Sequence, residues 1–189
     1  MSQVLSWLAG CDLRSDGPAN EVAEFVLENP EAFEDLYAGL SETEDVVRGR
    51  TADALEKVTR CRPDMTRDHL TEMSNLAQQE QVPVVKMHLA MIFGHLAIYP
   101  ELVAQLKEIL LYLLKDESVF TRSWAIASLC IIARKYPEEC QVVLDQLTPL
   151  QGDHSIAIRS RVKKAINLLT DPGAQFPKGW IKSEHLQGI

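Results

Sequence analysis

The sequence lacks the short motifs that identify enzymes and metal proteins. It has no nucleophile motif, no glycine-rich phosphate loop and no pair of closely spaced cysteines. Its four cysteines, Cys11, Cys61, Cys130 and Cys140, stand far apart, and Cys130 lies within an apolar helical run. We therefore predict buried thiols in a reducing compartment, and we assign no catalytic residue, no metal ligand and no cofactor.

Positive charge is also scarce. The 189-residue chain has a formal net charge of −8. Residues 1–60 hold 13 acidic and 5 basic side chains, whereas residues 61–189 hold 14 of each. A general binder of nucleic acid or of anionic membranes would need the opposite balance. We interpret the acidic part as a solvated helical surface, the alternative being a surface that attracts a basic partner.

Long hydrophobic runs are missing as well. No stretch approaches the ~18 apolar residues that a membrane span needs. The N-terminal residues lack the basic start and the long apolar core of a secretion signal. Hydrophobic residues nevertheless make up 46% of the chain and charged residues 24%, which is ordinary for a folded soluble domain. We expect a cytoplasmic protein without membrane contact.

What the sequence does contain is an internal repeat. An acidic residue precedes a basic residue by six positions, and an apolar helical run follows and ends at a proline. The basic residues are spaced 38, 36 and 37 positions apart, and a period of this length is typical of stacked helical units. The acid–base pairs of the four repeats are Glu42 with Arg48, Glu80 with Lys86, Asp116 with Arg122, and Asp153 with Arg159.

Prolines and serines divide the chain into five predicted helix pairs. A proline pushes the preceding residue out of a helix and can itself begin the next one. Ser118 and Ser155 are predicted N-caps of second helices. The first pair, in residues 1–29, lacks the acid-to-base spacing, and we interpret it as a cap of the stack. The other pairs are predicted at 30–61, 64–98, 101–136 and 138–169.

The second helices of the four repeats share an apolar face. Three, seven and ten positions after each basic residue, the side chain is small or apolar in almost every case. These positions fall on one side of a helix, so they are predicted to form the core. They are Thr51, Leu55, Val58, Leu89, Phe93, Leu96, Ala125, Leu129, Ile132, Val162, Ile166 and Leu169.

This combination of spacing and core positions resembles HEAT repeats, over about residues 30–170. The resemblance implies an all-α, right-handed α–α superhelix of about five antiparallel helix pairs, in a single domain over residues 1–171. It also implies that the acids and bases of neighbouring repeats form a hydrogen-bonded ladder along the stack. Lys86 departs from the pattern, because a lysine cannot make the forked contact of an arginine.

The end of the chain has a different composition. Three glycines and two prolines within residues 171–189 exclude a long helix. Phe176, Trp180 and Ile181 are too apolar for a tail in solvent. We expect residues 172–189 to pack on the last repeat, the alternative being a groove of this molecule or of a neighbour.

A binding surface is predicted on the concave face, which the second helices line in solenoids. Two, five and nine positions after each basic residue, side chains point away from the predicted core. Trp124 is the leading candidate, because tryptophan is enriched at binding surfaces; the alternative is that it packs between adjacent repeats or under the tail. The candidate binding residues are Arg50, Asp53, Lys57, His88, Met91, His95, Trp124, Arg161 and Lys164.

These features predict a non-enzymatic scaffold that binds a protein or peptide partner on the concave face. The alternative is a HEAT-like DNA glycosylase or DNA-binding protein acting on alkylated bases, because some bacterial glycosylases of this kind are built from HEAT-like repeats with a basic, tryptophan-bearing concave face. The segment 120–137 is loosely similar to their helices, and the candidate binding residues from Arg50 to Lys164 are mostly basic. The net charge, the single tryptophan among these residues and their single acid, Asp53, which lies two repeats from Trp124, favour the scaffold.

Overall fold

The computed structural model describes residues 2–10 and 17–189, and this part of the chain contains helices and no strand. Prolines open several of the helical segments: Pro83 is the first residue of an α-helix, and Pro30, Pro100 and Pro137 begin short 3₁₀ turns that lead into α-helices. The α-helices are α1 (Gln3–Leu8), α2 (Ala19–Glu28), α3 (Phe33–Ala38), α4 (Asp45–Cys61), α5 (Asp64–Arg67), α6 (Leu70–Gln79), α7 (Pro83–His95), α8 (Val103–Leu113), α9 (Val119–Lys135), α10 (Cys140–Leu147) and α11 (Ile156–Thr170).

The predicted helix positions are confirmed with one interruption. The hydroxyls of Ser118 and Ser155 accept hydrogen bonds from the first turns of α9 and α11, as expected of N-caps. The predicted helix over residues 64–79 is broken between α5 and α6. There the Thr66 hydroxyl donates to the carbonyl of Pro63 at 3.2 Å, a local side-chain bond of the kind that competes with helical hydrogen bonding.

The second helices of the predicted pairs pack side by side in chain order. Helix α4 contacts α7, α7 contacts α9, and α9 contacts α11, while α8 and α10 pack against α9. The predicted core positions are buried in α4, α7 and α9. Ile166 and Leu169 of α11 are only half-buried. Helix α11 is the last in the row, so no following helix covers these two side chains.

Ion pairs link consecutive helix pairs at their turns. Each base reaches the acid of the next pair: Nε of Arg48 donates to the Glu80 carboxylate at 2.9 Å. The contact buries most of both side chains, which are 16% and 4% exposed. The pairs in the described chain are Arg48–Glu80, Lys86–Asp116 and Arg122–Asp153. They join residues about one repeat apart.

The same acids and bases also hold their own turns. Oδ1 of Asp153 accepts a hydrogen bond from the backbone of Ser155 at 2.8 Å, and Arg159 donates to the Asp153 carbonyl at 2.6 Å. The hydrogen bond from Arg122 lowers the pKa of Asp153, which keeps this carboxylate charged. At the start of the row, Glu42 has no side-chain partner in residues 2–10 and 17–189.

The cysteines are less uniform than predicted. Cys130 is fully buried in α9, and burial raises the pKa of its thiol. Cys61 is exposed because it is the last residue of α4, so the expectation of a buried thiol is wrong there. Cys11 lies outside the described residues. Within the described ranges, no helix is both long enough and apolar enough to cross a membrane.

Removing one acid of these ion pairs tests their contribution to stability. Asp116→Ala leaves the Lys86 ammonium and the backbone N–H of Ser118 without the carboxylate that both contact. We expect a loss of about 1–3 kcal/mol in the free energy of unfolding, measured by urea denaturation. The matched control is Glu117→Ala at the exposed neighbouring acid, which should change stability by less than ~0.5 kcal/mol. Equal effects of the two substitutions would contradict a structural role.

Candidate functional site

The C-terminal tail, defined as residues 171–189, crosses the face of the second helices. The Trp180 ring lies 4.3 Å from the guanidinium of Arg161 in α11. Three residues later, the Ser183 hydroxyl donates to the carbonyl of Arg60, near the end of α4, at 2.9 Å. The tail was predicted on the last repeat; it contacts that repeat and then continues to the second pair.

Two apolar side chains anchor the tail. Trp180 is 5% exposed and Leu186 is 0% exposed, and both belong to the main hydrophobic core. Ser183 lies between them, and its hydroxyl accepts the N–H of His185 at 3.3 Å to start a short 3₁₀ turn. The tail is otherwise without regular structure, so side-chain anchors rather than helix packing hold it on the face.

The nine candidate binding residues were predicted to point away from the core, but most of them are covered in the structure. Helix α9 is also apolar at positions predicted to point away from the core. Ala127 and Ile131, five and nine positions after Arg122, are both buried. A helix that is apolar on all sides is buried on all sides. Arg50, Asp53, His88, Met91 and His95 are buried, Lys57, Trp124 and Arg161 are half-buried, and Lys164 is exposed.

The N-terminal residues cover the α4 end of this face. Nη1 of Arg50 donates to the carbonyl of Leu8 at 3.0 Å. Gly10 and Gly17 lie so close to the guanidinium that a Cβ at either position would fall within 2.6 or 2.7 Å of it. Gly17 also has a φ of 53°, in the left-handed region that favours glycine. A side chain at Gly17 would therefore be strained by its backbone conformation and would displace the guanidinium of Arg50.

A buried carboxylate, Glu56 of α4, lies beneath the tail. Nε2 of His95 is 2.8 Å from Glu56 Oε1, and Nε of Arg60 donates to the same oxygen at 2.7 Å. Burial opposes ionisation of Glu56, but these hydrogen bonds outweigh it and lower its pKa to about 2. Glu56 is therefore a charged group inside the protein, neutralised by Arg60.

A second carboxylate, Asp53, lies one turn earlier on α4. Lys57 forms an ion pair with it at 2.6 Å, and Nδ1 of His88 is 3.8 Å from its other oxygen. Burial lowers the pKa of His88, so its imidazole is neutral at pH 7. Together with Glu56, these groups form a buried polar cluster between α4 and α7.

This cluster contains side chains of the types that bind metal ions, but the charge of its carboxylates is already neutralised by cations of the protein. Asp53, Glu56 and His88 offer ligand atoms that all lie within 4.8 Å of one another. Both carboxylates already bind a cation of the protein, Lys57 or Arg60, and a divalent metal would have to displace both. We therefore assign the cluster a charge-pairing role and no metal.

Trp124 lies where the tail, α9 and α11 meet. The guanidinium of Arg161 is 5.1 Å from its ring, and the ammonium of Lys182 is 4.8 Å from the same ring. Such cation–π contacts partly replace the lost water. Burial lowers the pKa of Arg161 to about 10 and also lowers the pKa of Lys182. The cation–π contacts of Arg161 and Lys182 thus replace only part of the hydration that these two cations lose on burial.

Several buried polar atoms on this face have no hydrogen-bond partner within the described ranges. They are Nδ1 of His88, Nδ1 of His95 and Nη2 of Arg161. An unpaired buried polar atom typically costs about 1–3 kcal/mol. With the tail in place, these three atoms thus remain unpaired by residues 2–10 and 17–189.

Sequence reasoning missed Glu56 and Lys182. The i,i+4 spacing of Glu56 and Arg60 was a signal for their ion pair. No signal showed that His95, 39 residues away, would complete it. Lys182 was not considered, although one alternative placed Trp124 under the tail, and the structure shows the tail in contact with that ring.

Comparison with known proteins gives no further guide: no protein family, curated protein or solved structure matches the chain. The function is therefore argued from the contacts described above.

Replacing Glu56 tests whether the charge of this buried carboxylate stabilises the fold. The folded-state pKa of Glu56, about 2, is below the ordinary value of 4.5. Its stabilising contribution is therefore complete above pH 4.5 and is lost as the pH falls through 2. We expect Glu56→Gln to lower the free energy of unfolding by about 3 kcal/mol at pH 7. The difference in this free energy between the wild type and the variant, called the gap below, should narrow as the pH falls from 4.5 towards 2.

Urea midpoints of both proteins at pH 7, 5, 4 and 3 measure this gap. Glu24→Gln, at an exposed acid of α2, is the control and should show almost no gap at pH 7. A Glu56→Gln gap that is constant from pH 7 to pH 3, or absent, would show that Glu56 is not a stabilising charge.

Proposed function

We propose that this protein is a non-enzymatic, HEAT-like repeat scaffold that binds an extended segment of a partner protein on the face of its second helices. The observation that carries the proposal is the path of the tail from α11 to the end of α4, with Trp180 and Leu186 as buried anchors. A peptide without regular structure thus already lies on this face.

The packing of the helix pairs supports the proposal that the protein is a HEAT-like repeat scaffold. Second helices follow one another in chain order, and an ion pair joins each turn to the next. Both features are expected of a stack of helix pairs, in which each unit contacts only its neighbours. The right-handed superhelix that HEAT repeats imply is part of the proposal.

The contacts of the tail support the proposal that the face of the second helices binds an extended segment of a partner. Binding energy at protein interfaces concentrates in a few aromatic and arginine anchors that are shielded from water. The contact between Trp180 and Arg161 is of this type, and Ser183 adds a hydrogen bond to a backbone carbonyl of α4. The face therefore buries apolar side chains of the tail and offers backbone carbonyls of α4 to its polar side chains.

The glycosylase alternative finds no support in the geometry. A DNA-binding face needs several arginines and lysines that are accessible to phosphates. Arg50 donates to the Leu8 carbonyl, Lys57 pairs with Asp53, and Arg161 contacts the rings of two tryptophans. The ion pair with Lys57 also occupies Asp53, the acid that this alternative would use.

A labelled peptide of residues 174–189 tests the proposal in trans. In the wild-type chain the tethered tail competes at an effective concentration near the millimolar range, so added peptide should bind weakly. Replacing both anchors, by Trp180→Ala and Leu186→Ala, should release the tail and increase peptide affinity about tenfold or more by fluorescence anisotropy. Circular dichroism checks that the variant keeps its helices.

The matched control is a second double variant of the tail, Gln175→Ala with Gln187→Ala, at exposed positions. It should bind the peptide as weakly as the wild type does. If the peptide fails to bind the helical anchor variant, or binds all three proteins equally, the face is not a peptide-binding site and the proposal is wrong.

A further inference from the structure

The row of second helices ends in a helix that carries only basic charge. Helix α11 contains four basic side chains and no acid, in a chain whose formal net charge is −8. Its buried face is formed by Ile158, Val162, Ala165 and Leu168. Lys163 and Lys164 lie on the opposite side and are exposed. Within residues 2–10 and 17–189, neither lysine forms an ion pair.

The outer side of α11 differs from that of the preceding second helix. The residues of α9 that correspond to Lys163 and Asn167, one repeat earlier, are Ile126 and Cys130, and both are fully buried. Lys163 and Asn167 instead line an open groove of about 410 Å³ between α11 and the first residues of the tail. The apolar stack therefore ends at α11 in a basic surface.

The series of ion pairs between helix pairs also ends at α11. The other three bases each bind the acid of the following pair. No helix pair follows α11, and in the described part of the chain the Arg159 guanidinium donates only to the carbonyls of Asp153 and His154 in its own turn. Arg159 lies one helical turn before Lys163. We call Arg159, Lys163 and Lys164 the basic end.

The opposite end of the row carries acids. Helix α2 is the second helix of the first pair and contacts α4. The residues that it buries are Ala19, Val22, Ala23 and Val26. Glu21, Glu24 and Glu28 follow one another at helical spacing on the other side and are exposed. None of these three forms an ion pair in the ranges 2–10 and 17–189, and we call them the acidic end.

We propose that the acidic end of one molecule binds the basic end of a second copy, so that molecules associate head to tail along the row of second helices. The carboxylates of the second copy supply the counter-charges that Arg159, Lys163 and Lys164 do not find in their own chain. The inference goes beyond the proposed function, because it uses the outer sides of α2 and α11 and not the face that the tail crosses.

The two ends match in length as well as in charge. At a rise of about 1.5 Å per residue, the acids extend over about 10 Å of α2 and the bases over about 8 Å of α11. Exposed ion pairs are individually weak and are screened by salt, so the contact is weak and depends on ionic strength. A head-to-tail pair leaves one acidic and one basic end free, so association continues beyond a dimer.

Sedimentation equilibrium of the 189-residue chain tests the inference, at protein concentrations up to about 1 mM. At about 20 mM NaCl we expect the average mass to rise with concentration and to exceed that of a dimer. At about 200 mM NaCl the apparent dissociation constant should increase about tenfold, because the contacts are between exposed charges.

Reversing the charge of either end should weaken this association about tenfold or more. One variant carries Lys163→Glu with Lys164→Glu, and the other carries Glu21→Lys with Glu24→Lys. An equimolar mixture of the two variants should associate again, because each then offers the other an end of opposite charge. Circular dichroism checks that both variants keep their helices.

The matched control is Glu108→Lys with Glu117→Lys, at two exposed acids in the middle of the chain. It changes the net charge by the same amount as Glu21→Lys with Glu24→Lys and should leave the association unchanged. If this control weakens association as much as the substitutions in α2 do, overall charge rather than the acidic end decides, and the inference is wrong.

Three other results would overturn the inference. The first is a chain that stays monomeric at about 1 mM in low salt, even if it then binds a poly-glutamate peptide, because the basic end would serve a different acidic partner. The second is a mixture of the two end variants that fails to associate. The third is association that survives both charge reversals and is lost with Trp180→Ala and Leu186→Ala, because the copies would then be exchanging tails.

Discussion

The ion pair between the base of one helix pair and the acid of the next is the contact on which the arrangement depends. In Arg122–Asp153 the acid also accepts a backbone N–H in its own turn, so one carboxylate both shapes a turn and ties it to the preceding one. Hydrogen bonds to charged groups are stronger than neutral ones, and partial burial protects them from salt. The spacing of the second helices therefore follows from short polar contacts at one end of each pair.

Packing the second helices side by side has a consequence for their composition. A helix such as α9, with neighbours on both sides and a partner helix beneath it, has little surface left for solvent, and residues 125–133 are all buried. Only the face opposite the partner helices remains to be covered. The N-terminal residues cover it around Arg50, and the tail covers it from Arg161 to Arg60. Both chain ends thus complete the core.

The covered face is not an ordinary apolar core, because it contains charges. Glu56 remains ionised with no exposed surface, and it does so through contacts with Arg60 and His95 that come from two helices. Such buried pairs are expensive to assemble and rarely improve stability over apolar packing. Their position beneath the tail, rather than between helices alone, supports our proposal that this face binds a peptide segment.

Local sequence determined the helices, their caps and the core register, because the acid-to-base spacing, the prolines and the apolar period each act within one repeat. It also indicated which acids and bases would lie at the turns. Only the tertiary structure decided that His88, Met91 and His95 would be buried. The path of the tail likewise depends on long-range contacts: Ser183 meets Arg60, 123 positions away, and Lys182 reaches Trp124. Contacts over such distances arise from where whole elements meet, and no periodicity within a single helix records them.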